Sequence, residues 1–121
     1  MTREERYFSR DEADRLVPFL ALLTSRAREE LEFIWSRLGG ASSDEEIRTA
    51  YGRMNAIRET WYREVRELGG RPVRLWEVVF PSGDGFDWSW RSGERAIGFV
   101  ARGRIGTWFL RYPLPAPSSA L

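Results

Sequence analysis

Two glycine pairs, Gly39-Gly40 and Gly69-Gly70, each end a long apolar stripe of helical spacing, and this limits what the first half of the chain can become. The first stripe is Leu16, Leu20, Leu23, Ala27, Leu31, Ile34 and Leu38, in steps of four and three that share one side of a helix. The second is Ile47, Tyr51, Met54, Ile57, Trp61, Val65 and Leu68. Both have a start signal. Ser9 is followed by Glu12, and Ser43 by Glu46, the spacing at which cap side chain and helix amide satisfy one another. Phe8 and Ala13 occupy the two staple positions around the first cap. A loop of about five residues between the stripes predicts an antiparallel hairpin whose arms each span roughly 30 to 38 Å. Pro18 lies inside the first stripe, where it removes an amide donor and crowds the preceding turn. It predicts a short entry helix, a kink, and a straight arm from about Pro18 to Leu38.

From residue 72 the period changes. "VRLWEVVF" (73–80) is β-branched and aromatic and stops at Pro81, "SGDG" is turn chemistry, and "FDWSWRSGERAIGFV" (86–100) and "RIGTWFLRY" follow. Taking Gly93-Glu94 as a two-residue hairpin loop sets Trp90 opposite Ile97, Trp88 opposite Phe99 and Phe86 opposite Ala101. Taking Arg102-Gly103 as the next loop sets Ile97 against Trp108 and Phe99 against Gly106. One face then carries Phe86, Trp88, Trp90, Ile97, Phe99, Ala101 and Trp108, and the other Asp87, Ser89 and Arg91. The expected fold is α+β: a long antiparallel helical hairpin with a kinked entry helix, packed on an antiparallel meander of three to four strands. The whole chain reads as one domain, with the hairpin over about 8–70, the meander over 72–112 and a flexible or extended Pro/Ser tail over 113–121.

Trp88, Trp90, Trp108 and Phe99 are read as aromatic core between hairpin and sheet, because the sheet face they share and the helical stripes each need a partner. A stacking platform for bases or sugars, and an aromatic interface for another chain, are the alternatives.

Composition removes most chemistries. The chain has neither cysteine nor histidine, and all 19 basic residues are arginine. Thiolate zinc sites, Cys nucleophiles, imidazole bases and lysine Schiff bases are therefore excluded. Carboxylate, tyrosine and hydroxyl chemistry remains; the balance leans against an enzyme without deciding it, and no metal or cofactor is expected. The net charge of +1 argues against a dedicated nucleic-acid binder. The N-terminus is charged, and no apolar run approaches a membrane span of about 18 residues, so a cytoplasmic, membrane-free protein is expected.

Candidate sites are few. Glutamates in "REELE" and "RETWYREVRE" alternate with arginines as a solvated helix face does, and "SGDGFD" reads as a plain turn. Glu94, with Arg91, Arg95 and Arg111 near it and Tyr112 beyond, is the one group that could hold a small ligand or anion.

Two stretches resemble a family. "FSRDEADRLVP" is similar to the entry motif of an uncharacterised, mostly bacterial family, domain of unknown function 2203, on Phe8, Ser9, Glu12, Ala13, Leu16 and Pro18. In the second half Val78, Phe80, Pro81, Trp90, Gly93, Glu94, Ile97, Arg111, Pro113 and Leu114 also fall on its pattern. The family's Asp, Cys and His positions carry Val79, Ser89 and either Val100 or Ala101 here. The resemblance implies the fold, a Pro18 accommodated within or beside the first helix, and a member without the family's polar triad.

Two functions are therefore expected. The first is a non-catalytic, self-associating structural module, a homodimer. The alternative is a small-ligand or anion-binding domain, possibly a carboxylate-dependent enzyme, with its pocket near the 91–95 hairpin.

Overall fold

The structure is a computed structural model that describes residues 6–41, 43–105 and 108–115, and over 103–109 the course of the backbone alone. Helices α1 (Arg10–Leu38) and α2 (Asp44–Glu67) form the hairpin, and five strands follow: β1 (Arg71–Arg74), β2 (Glu77–Pro81), β3 (Asp87–Arg91), β4 (Phe99–Ile105) and β5 (Trp108–Pro113). The sheet is an antiparallel meander in the order β1-β2-β3-β4-β5.

The first cap forms in full. Glu12 N donates to Ser9 Oγ (3.1 Å) and Ser9 N to Glu12 Oε1 (3.0 Å), and the Ser9 amide and hydroxyl hold the Glu12 carboxyl below the usual range. At the second cap, Glu46 N donates to Ser43 Oγ (3.1 Å). Phe8, just outside the first cap, is buried and ties the helix start to the sheet. Its amide donates to Pro81 O (2.8 Å), its carbonyl accepts from Trp88 Nε1 (2.7 Å), and its ring meets Phe80 edge-on at 5.1 Å. Gly69, at φ 93°, sits against that ring so closely that a Cβ would lie 2.5 Å from it, so both backbone and space require glycine there.

Pro18 does not divide the first arm into a separate short entry helix and a straight segment. The helix runs unbroken from Arg10 to Leu38, with Pro18 on its exposed side, where the carbonyl it deprives of a donor can take water. The arms are in register through Trp61 Nε1, which donates to Thr24 Oγ1 (3.0 Å), both side chains buried.

The meander has five strands rather than three to four, because 73–80 is not one strand. It folds back at Leu75-Trp76, where Trp76 takes a left-handed backbone (φ 69°) without any glycine, asparagine or aspartate to announce a turn. That conformation costs about 1–2 kcal/mol in a residue with a Cβ. Packing of the Trp76 ring edge-on to Trp61 (5.1 Å) offsets it.

The β3–β4 register is one residue from the expected one: Asp87 pairs with Ala101, Trp88 with Val100 and Ser89 with Phe99. A one-residue step exchanges faces. Trp88 and Trp90 remain on the helix face beside Val78 and Phe80, but Phe99 and Ala101 turn to the opposite face. Two contacts explain the longer connection. Gly93 (φ 98°) takes the third position of a turn closed by Glu94 N donating to Arg91 O (3.0 Å), so it is not the first residue of a two-residue loop. Ile97, buried, is then held by α1: its amide donates to Asp14 Oδ1 (2.6 Å) and its carbonyl accepts from Arg10 Nη2 (3.1 Å).

The Arg102-Gly103 loop is also corrected. β4 continues through these residues with a bulge, Ile105 pairs with Trp108, and the Trp108 side chain lies outside the described residues. Pro113 belongs to β5, and Leu114 packs on the core and donates its amide to Gly98 O (2.8 Å); neither is tail, and residues 116–121 lie outside the described residues.

The core under the sheet gathers Phe8, Val17, Leu20, Trp61, Phe80, Trp90 and their neighbours and reaches Ala27 and Ile57 along the hairpin, and further out Ile34 and Met54 are also buried. Helices of 29 and 24 residues span about 43 and 36 Å, against about 17 Å for a five-residue strand. The far end of the hairpin therefore outruns the sheet. Among the described residues no helix is long and apolar enough to cross a membrane.

Candidate functional site

The face of the sheet turned away from the helices has no second layer over it among the described residues, yet Glu77, Val79, Ser89 and Ala101 on it are all buried. Arginine stems cover them. Arg111 starts on β5, passes over the small Ala101 on β4, and donates from Nε to Ser89 Oγ on β3 (2.7 Å). Its guanidinium lies 4.0 Å from the centre of the Phe99 ring. Its Nη2 donates to Glu94 Oε1, which also accepts the Arg91 amide (2.7 Å).

Glu77 is the centre of the cluster. Its side chain is 3% exposed, and each carboxylate oxygen meets a different arginine: Oε1 lies 3.2 Å from Arg91 Nε and 3.7 Å from Arg111 Nε, and Oε2 lies 2.7 Å from Arg74 Nε. The Arg74 contact is close but not aligned, so Oε2 accepts no hydrogen bond. Charge holds it there rather than directed bonding. Within these five side chains three guanidiniums face two carboxylates.

Of the residues singled out from sequence, Glu94, Arg91 and Arg111 do come together. Arg95 stands exposed in the loop outside the cluster, and Tyr112, paired with Val100, lies on the opposite face and is half exposed. Phe99 serves as the floor under Arg111 and is not a partner of Trp88. Trp90 is fully buried core and its indole donates to Glu94 O (2.9 Å), while Trp88 is partly buried and packs against that core. Sequence reasoning missed Glu77, Arg74 and Ser89. Glu77 stood inside a run read as one continuous strand; a turn at Leu75-Trp76 would have paired Arg74 with it. No three acidic side chains gather to hold a metal ion among the described residues.

Asp87 lies on this same face, and burial pushes its carboxyl up against the opposing pull of Arg71. A carboxyl raised in the folded state favours folding while protonated and loses that advantage as pH rises through its folded value. Asp87→Asn is thus expected to raise the melting temperature at pH 7 by on the order of a few degrees, with no difference below about pH 3, where both states are protonated. Melting curves across that range check it; a neutral-pH loss would mean that the Arg71 attraction dominates.

Comparison of the chain with protein-family models, with curated proteins and with solved structures finds no match.

Proposed function

We propose that this protein is a non-catalytic structural module that pairs with a second copy of itself through the free end of its helical hairpin. One observation carries the reading. Beyond Ala27 and Ile57 the hairpin leaves Phe33, Trp35, Ile47 and Tyr51 exposed, Trp35 at 64%. Trp35 lies two turns past Arg28, whose guanidinium touches Ser92 at the end of the sheet (2.9 Å). Ile47 lies four turns from Trp61, which packs on the sheet's Trp76. Both thus continue the face the sheet covers nearer the core, past the point where the sheet stops. Exposed aromatics on a rigid element mark such interfaces, and Trp35 and Ile47 are the two residues that continue the covered face.

The resemblance to domain of unknown function 2203 agrees with a non-catalytic role. Val79 and Ser89, at the family's Asp and Cys positions, pair directly across β2 and β3, and Ala101 lies on the same face. The His position is Val100 or Ala101, of which only Ala101 shares that face, and of these positions only Ser89 carries a hydroxyl, which Arg111 engages.

Light scattering across a concentration series tests the reading. A mass of twice 14.1 kDa is expected, falling to the single-chain value in Trp35→Glu/Tyr51→Glu with helix content unchanged. A single-chain mass at every concentration would sink it.

A further inference from the structure

We propose that the side of the hairpin turned away from the sheet is a docking groove for one amphipathic helix of a partner protein, a helix with a basic and an acidic flank on either side of its apolar face. Two clefts of about 670 and 370 Å³ lie between α1 and α2, and no strand residue lines either. Phe33 and Arg26, in their walls, stand two residues from Trp35 and Arg28, about 200° around the helix from the side that meets the sheet. The groove is thus separate from the surface assigned to self-pairing. The clefts are successive parts of it: Glu30 and Phe33 are a turn apart on α1, as are Ala56 and Arg53 on α2. From Leu23 to Leu38 it runs for about 23 Å, the length of a helix of about 15 residues.

The shape selects a helix. Lining residues recur at steps of three and four on both arms, so the groove follows the helix axes, and a third helix packs along such a pair. Small side chains, Ala27, Ala50 and Ala56, let another backbone come close. Phe19, Arg26 and Phe33 repeat at seven along α1, and Phe19 is 58% and Phe33 55% exposed, apolar surface that pairing with α2 leaves unused. A second copy on this side would set groove against groove with both clefts unfilled, whereas a single helix fills them.

Charge sets the chemistry of that helix. Thr24 and Trp61 share a level of the hairpin through their hydrogen bond. Glu30 is six residues from Thr24 and Arg53 eight from Trp61 in the same direction, so the two stand within about a turn of each other on opposite walls. Elsewhere on the arms Arg28 meets Glu32 at 4.0 Å and Arg63 meets Glu67 at 3.9 Å. Arg26 and Glu30 have the same spacing but do not pair, and neither Glu30 nor Arg53 forms an ion pair with another described residue. A helix with a basic residue toward Glu30 and an acidic one toward Arg53 satisfies both walls, as flanking charges choose partners in coiled coils.

Three stapled synthetic helices of about 15 residues test the proposal, each with leucines at steps of three and four along one face. One carries arginine on one flank and glutamate on the other, one arginine on both, one glutamate on both. Fluorescence anisotropy against the full chain is expected to give the mixed helix a dissociation constant of about 10 μM or tighter, and the others values at least about tenfold weaker. Arg53→Glu is expected to turn the preference to the all-arginine helix, Glu30→Arg to the all-glutamate helix, and Phe33→Ala to weaken all three. Melting curves stay little changed, because all three positions are exposed. Equal affinity for the three helices, affinity indifferent to Phe33→Ala, or no binding of any helix would overturn the groove. So would a Trp35→Glu/Tyr51→Glu chain that stays paired and separates only when Phe33→Glu is added, since a second copy would then be the occupant. The anisotropy readings do not depend on self-pairing through the other side, so the two proposals fail separately.

Discussion

Replacing Trp90 with alanine lowers the unfolding free energy by about 3–5 kcal/mol, a large share of the 5–15 kcal/mol that holds a domain of this size together. The magnitude follows from its surroundings. Trp90 is fully buried, it pairs with Val78 across β2, and its ring closes the space between the sheet and α1. No neighbouring side chain is free to collapse into the gap, because α1 is held over it by the Ile97 contacts with Arg10 and Asp14. Trp90→Phe separates the two parts of the effect. It keeps most of the ring volume but leaves Glu94 O without the indole donor, and about 1–2 kcal/mol of loss is expected. Urea unfolding followed by far-ultraviolet circular dichroism gives both numbers. A loss below about 1 kcal/mol for Trp90→Ala would mean that the tryptophan is there for a ligand or partner and not for the core.

The second large effect is at Glu77. Glu77→Ala is expected to cost about 3 kcal/mol, the lower end of the range for breaking a buried ion pair. The lower end applies because Arg74 and Arg91 are about half exposed and can swing into water once the carboxylate is gone. Arg111, 9% exposed, cannot, and of its two carboxylates it then retains only Glu94. The double change Glu77→Ala/Glu94→Ala therefore leaves a buried guanidinium with no carboxylate, and it is expected to cost more than the sum of the single changes by about 1 kcal/mol or more. Strict additivity would mean that the two glutamates act on separate structures and that the cluster is not a unit.

The hairpin was legible in the residues themselves because its signals are local. Ser9 with Glu12, Ser43 with Glu46 and the stripes each act within a few residues and appear where local chemistry puts them; of the closing glycines Gly69 takes the left-handed backbone, whereas Gly39 stays right-handed (φ −62°). Trp88 and Trp90 on the covered face were legible for the same reason, since alternation within one strand needs no knowledge of its neighbour.

What lay beyond the sequence was whatever depended on the partner of a strand. The turn at Leu75-Trp76 has no turn residue, and its left-handed Trp76 is tolerated because Trp61, on another element, packs against the ring. The register of β4 is set by Ile97, which α1 holds through Asp14 and Arg10 from more than eighty residues away. That one step moved Phe99 beneath Arg111, and the Leu75-Trp76 turn set Glu77 beside Arg74. The chain on its own thus determined which residues form helices and which strand faces are apolar, because those follow from the period of side chains along a backbone. Only the tertiary structure decided which charges meet, because a buried carboxylate and its arginines come from strands whose alignment no local signal controls.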